Sequence, residues 1–121
     1  MYLGDAYVSR GDYAAAWRLQ PDNPQLLNNY AWLLATCPDQ RLRDAPRAVA
    51  LARQACELAK YEKTVYLGTL AAAQAGAGNF ADAIATAGRA CQLAEKNGEP
   101  ALLQTNQALL ARYRAHQAAV D

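Results

Sequence analysis

Between residues 26 and 34 apolar side chains fall at Leu26, Leu27, Tyr30 and Leu34, with Asn28 and Asn29 among them. Steps of three and four return to one side of a helix. The spacing recurs near the end of the chain at Leu102, Leu103, Leu109, Leu110 and Tyr113. Punctuation separates these periodic stretches. Pro21 and Pro24 stop one helix and restart another, since Pro is tolerated only in a helix's first turn. Pro38 ends the next. Asp44, ahead of Ala45-Pro46, is placed as an N-cap with Pro in the first turn. Gly11 and Gly78 mark chain reversals. The pattern predicts helices at 1–10, 12–19, 24–37, 44–60, 64–76, 80–95 and 99–116.

The chain repeats itself. Aligned on the glycine before an aromatic, Gly11 meets Gly78, Tyr13 meets Phe80 and Ala16 meets Ala83; upstream, Leu3-Gly4 meets Leu70-Ala71. "AVALARQACELA" at 48–59 matches "AIATAGRACQLA" at 83–94, an offset of 35 residues. Small residues at Gly4, Ala31 and Ala71 would let paired helices approach closely. This period, with Leu-Gly, a later Tyr, then Ala and a terminal Pro, resembles the tetratricopeptide repeat over residues 1–95. The loop "CPDQRLR" after Thr36 is longer than a standard inter-helix turn. It resembles a variant of bacterial tetratricopeptide proteins in which Ala-Thr-Cys-Pro-Asp is followed by Arg-Asp-Ala. The resemblance implies an all-α solenoid of three helical hairpins, at 1–20, 24–60 and 64–95, closed by a capping helix at 99–116.

The first unit is too short. Gly78 lies 17 residues before Glu95, whereas Gly11 lies ten before Pro21. The seven missing residues are close to two turns of 3.6, which keeps Tyr13, Ala16 and Trp17 on one face but shortens the helix by ~10 Å. The helix that follows then loses cover, and a solenoid unit cannot bury its face alone. Either the N-terminal hairpin tilts over the gap or another chain fills it, with the linker at 20–24 as a hinge for exchange. The expectation is a homo-oligomer through residues 1–34, with Trp17, Leu27 and Tyr30 in the contact.

Composition agrees with an all-α chain: 29 of the 121 residues are Ala, and Val and Ile together number five. A formal charge of +1 with both signs mixed gives no case for nucleic acid or an anionic membrane. No apolar run approaches the roughly 20 residues of a membrane span. The start lacks a signal-peptide pattern, and Met1 leads straight into a helical stretch, which leaves open a fragment without its targeting signal. Cys37, Cys56 and Cys91 form no CxxC pair; buried free thiols in a reducing, cytoplasmic setting are expected. No metal or cofactor is expected, because His116 is the only histidine and lies far from any Cys in sequence.

Candidate chemistry is sparse. "GAGN" at 76–79 follows a helix rather than a strand and reads as a repeat turn, not a phosphate loop. Cys37 sits at the negative end of a helix dipole, which raises a thiol pKa and argues against a nucleophile. Arg41, Arg43, Arg47 and Arg53 cluster around the long loop, as a solvated face or a surface for an acidic partner. An enzyme is not expected. The family binds partners on its concave face, and the resemblance carries that role to Asp5, Asn28, Asn29, Trp32, Thr69 and Ala72. Asn28, Asn29 and Trp32 share a helix face suited to an extended peptide; alternatively Trp32 packs against Trp17 or a neighbouring helix. The family's clamp for a C-terminal carboxylate uses Lys and Arg, and Val65, Gly68, Thr69 and Ala72 offer no cation. The expected function is non-catalytic binding of a protein or peptide. The alternative is a self-association or spacer module of a larger bacterial protein.

Overall fold

A computed structural model describes residues 3–119, with side chains from residue 11 to residue 119. Among the described residues there are six α-helices and no strand: α1 (Leu3–Leu19), α2 (Pro24–Thr36), α3 (Ala45–Leu58), α4 (Thr64–Gly76), α5 (Phe80–Asn97) and α6 (Pro100–Arg114), with one 3₁₀ turn at Gln40–Leu42. Helices α2 to α6 begin within one residue of where the sequence places them. Asn23 caps α2 by accepting from the Leu26 N–H at 3.2 Å, and Asp44 caps α3 by accepting from the Arg47 N–H at 3.2 Å. Gly78 has φ 82° between α4 and α5, and Gly98 has φ 64° after α5, a conformation that favours glycine.

The turn expected at Gly11 does not occur. Helix α1 runs through it for 17 residues, so residues 3–19 form one helix and not a shortened hairpin. A lone glycine inside a helix costs only about 1 kcal/mol relative to Ala. Ala14, Ala15 and Ala16 follow it and favour continuation, and α1 packs along α2.

Helix α2 packs on α1, α3 and α4, and α4 packs on α2, α3, α5 and α6. One core joins Leu27, Tyr30, Ala31 and Leu34 of α2 to Leu51, Ala52 and Ala55 of α3 and Leu67 and Leu70 of α4. A second is almost all alanine: Ala71, Ala72 and Ala75 of α4 meet Ala83 and Ala87 of α5, sealed by Tyr113 and Ala119. Alanine at the contact lets these helices approach closely.

Helix α2 has not lost its cover. Leu27 and Tyr30 are 0% and 1% exposed within the single chain. The Tyr13 ring stacks on Tyr30 at 6.1 Å, and Trp17 lies 6.5 Å from it at 57°. Leu27 and Tyr30, expected in a contact between chains, are thus covered within the single chain. A continuous α1 supplies the side chains that a truncated hairpin would have lacked. Trp17 is half-buried, with the Arg47 guanidinium 5.2 Å from its ring centroid. The 20–24 linker is tied to α3: the Gln54 amide donates to the Pro21 carbonyl at 3.3 Å and to Asp22 Oδ1 at 3.2 Å.

Candidate functional site

Helices α2, α4 and α6 turn one face each toward a common groove of about 360 Å³. From α2 it receives Asn28, Asn29, Trp32 and Leu33; from α4, Val65, Gly68 and Thr69; from α6, Leu102, Thr105, Asn106 and Leu109; Tyr13 of α1 borders it. On each helix successive lining positions differ by one or three, so each set follows one stripe of a 3.6-residue helix. The start of α6 is fixed against α4 by the Thr64 hydroxyl, which donates to Glu99 Oε1 at 2.6 Å.

The lining is apolar with a few polar groups, and its described residues include no acid or base apart from the Tyr13 phenol. Such a lining suits burial of an uncharged occupant. The polar groups have defined states. Asn28 is buried; its amide nitrogen donates to Asn29 Oδ1 at 3.3 Å, while its own Oδ1 has no hydrogen-bond partner. Asn106 is buried on the opposite wall, and its amide nitrogen donates to the Leu102 carbonyl at 2.8 Å. The Thr105 hydroxyl donates to the Ala101 carbonyl at 3.0 Å. On the α6 wall the Thr105 hydroxyl and one N–H of Asn106 are thus bonded within their own helix.

Of the residues expected on the binding face, Asn28, Asn29, Trp32 and Thr69 meet in this groove. Ala72 does not: it is fully buried in the alanine core under α5 and Tyr113, because α4 is enclosed on several sides. Asp5 lies outside the described side chains. Trp32 is half-buried, packs on the alanine core and lines the groove. The residues expected on the binding face include none from α6, which was expected only to cap the stack. The stripe Leu102, Thr105, Asn106, Leu109 is visible in the sequence at helical spacing and would have revealed the α6 wall.

The arginines near the long loop are largely engaged by the protein itself. Arg41 pairs with Asp39 at 3.0 Å. Arg43 donates through Nε to the Cys37 carbonyl and through Nη2 to the Pro38 carbonyl, capping the end of α2. All three cysteines are free. Burial pushes the Cys56 thiol up to about 11, and burial also raises Cys91, helped by Glu95. A thiol held protonated is a poor nucleophile. No helix among the described residues is long and apolar enough to cross a membrane.

No family model, curated protein or solved structure matches this chain.

Proposed function

We propose that this protein is a non-catalytic interaction module that holds a peptide or protein segment in the groove between α2, α4 and α6. The observation that carries this reading is the groove itself: three helices contribute aligned stripes, apolar and uncharged, around a small set of amides. The helical hairpins α2–α3 and α4–α5 with α6 behind them, together with the 35-residue sequence period, support a short tetratricopeptide-like solenoid. In such a stack the groove is the inner face, and the segment it holds lies across the helices.

The test is an array of N-acetylated, C-amidated hexapeptides probed with the purified chain. Val65 is exposed on the groove's lip, so Val65→Arg fills the groove without disturbing the core. Peptides bound by the wild type should be lost by Val65→Arg at an unchanged melting temperature. Undiminished binding by the variant would exclude the groove as the site. A spacer or self-association module, the second reading, would bind none of the array.

A further inference from the structure

We propose that the cleft between the α3–α4 turn and α5 is a second binding site, which takes a small organic anion. A carboxylate or phosphate head is held by Arg89 and Lys96, and an apolar body packs against Tyr61, Leu67 and Leu93. This site is separate from the groove and does not depend on the binding role proposed above.

Three observations carry it. The first is the place of the cleft. It has a volume of about 230 Å³ and is lined by Tyr61, Leu67, Arg89, Gln92, Leu93 and Lys96. The α5 residues among these are spaced three, one and three apart, which is one stripe of a helix. On α4, Leu67 lies about 150° round the helix from the mean direction of Val65, Gly68 and Thr69, at 100° per residue. The cleft therefore sits on the side of α4 away from the groove.

The second observation is charge. Two of the lining residues are cations and none is an acid. Among the described residues neither Arg89 nor Lys96 lies within salt-bridge distance of a carboxylate. Glu95, next to Lys96 in sequence, acts on the Cys91 thiol instead, and the exposed Glu57 and Glu62 near the turn do not line the cleft. Gln92 adds neutral N–H donors on the same stripe. Unpaired cations beside apolar side chains are the complement of an oxyanion on an apolar body.

The third observation is that the main cation is held in place. The Arg89 guanidinium stands 5.3 Å from the Tyr61 ring centroid. Contact with a ring restrains a long side chain and leaves N–H groups for a forked oxyanion. The ring in turn is set by its backbone. Lys60 and Tyr61 are successive non-glycine residues with φ 56° and 57°. Their turn is closed by the Tyr61 N–H donating to the Cys56 carbonyl at 2.8 Å and the Glu62 N–H donating to the Ala59 carbonyl at 3.1 Å. Such a conformation is costly outside glycine, and strain of this kind gathers at ligand clamps.

The experiment titrates phenyl phosphate, benzoate, benzyl alcohol and inorganic phosphate into the 15N-labelled chain and follows its NMR resonances. Phenyl phosphate or benzoate should move the Arg89 Nε–H and Gln92 side-chain signals at concentrations up to about 10 mM, and the tighter of the two identifies the head. Benzyl alcohol and inorganic phosphate should bind at least about tenfold more weakly than that probe, because each lacks one half of the ligand. Arg89→Gln should weaken the tighter probe about tenfold and Lys96→Gln about threefold, at an unchanged melting temperature, since both side chains are exposed. Arg18→Gln makes the same change in charge on α1, which does not line the cleft, and should leave affinity unchanged. Benzyl alcohol binding within about threefold of the anions would overturn the proposal. Inorganic phosphate binding as tightly as phenyl phosphate would also overturn it, leaving an adventitious ion only. A loss at Arg18→Gln equal to that at Arg89→Gln would reduce the effect to diffuse attraction. Absence of shifts with both organic anions would show that the cleft is not a site.

Discussion

The Oδ1 atom of Asn106 on α6 lies 3.0 Å from the point a Cβ on Gly68 of α4 would occupy. Glycine at 68 is therefore the complement of a buried amide on the neighbouring helix, which is itself fixed by its bond to the Leu102 carbonyl. The two positions are coupled, and the coupling is measurable. Gly68→Ala in an Asn106→Ala background should stabilise the protein by about 1 kcal/mol, the helix-propensity gain of Ala over Gly. With Asn106 present, the same substitution should lose most of that gain as the amide is displaced. A coupling of about 0.5 kcal/mol or more in a urea-denaturation cycle is the expected result; additivity would show that Asn106 yields freely.

Much of this was legible in the chain, and the failures have physical causes. The cap at Asp44, the prolines at the first turn and the reversal at Gly78 are local chemistry, and local chemistry can be read from neighbours in sequence. Gly11 was misread because its context, a glycine followed by a polar residue and an aromatic, is that of Gly78. What separates them is that Gly78 follows Gly76-Ala77, where the helix is already weak, whereas Gly11 precedes three alanines. The groove was half-legible. Asn28, Asn29 and Trp32 share one face of one helix, which periodicity reveals. Their meeting with Asn106 is a tertiary fact, and Ala72 was misplaced because an alanine carries no sign of which neighbour covers it.

Tyr113 shows the cost of a buried hydroxyl. The residue is fully buried, seals the alanine core and leaves its OH without a partner. Tyr113→Phe keeps the ring and removes the unpaired group, so stability should rise by about 0.5–1 kcal/mol. Tyr113→Ala should instead cost about 3–5 kcal/mol through the cavity it opens. Urea denaturation of both variants checks the pair, and a destabilising Phe substitution would reveal a hidden partner for the hydroxyl.

Cys56 predicts an alkaline limit. Burial among apolar side chains pushes its thiol up to about 11. In the unfolded chain the thiol ionises near pH 8.5–9. The unfolded state then loses its proton first, so stability is intact below pH ~8.5 and falls as pH rises toward 11. The thiol-linked loss approaches about 3 kcal/mol at the upper end. Cys56→Ala should flatten the stability curve over this window, measured by denaturant titration from pH 7.5 to 10.5. With native protein, a disulfide reagent at pH 8 should modify Cys91, which is half-buried, well before Cys37 and Cys56, which are buried. Equal rates at all three would contradict the burial.

Leu27 and Tyr30 decide how the protein covers its second helix. If α1 does so within one chain, as the ring contacts of Tyr13 and Trp17 with Tyr30 indicate, their truncation removes core packing. Leu27→Ala should cost about 2–5 kcal/mol and Tyr30→Ala about 3–5 kcal/mol. Leu19, exposed at the end of the same α1, should change stability by no more than about 0.5 kcal/mol when cut to Ala. A core contribution is independent of protein concentration, whereas cover supplied by a second chain follows mass action. The losses at Leu27 and Tyr30 should therefore be the same at 5 and 200 µM protein. A loss that shrinks with dilution, along with a wild-type melting temperature that falls on dilution, would mean that a second chain contributes to this core after all.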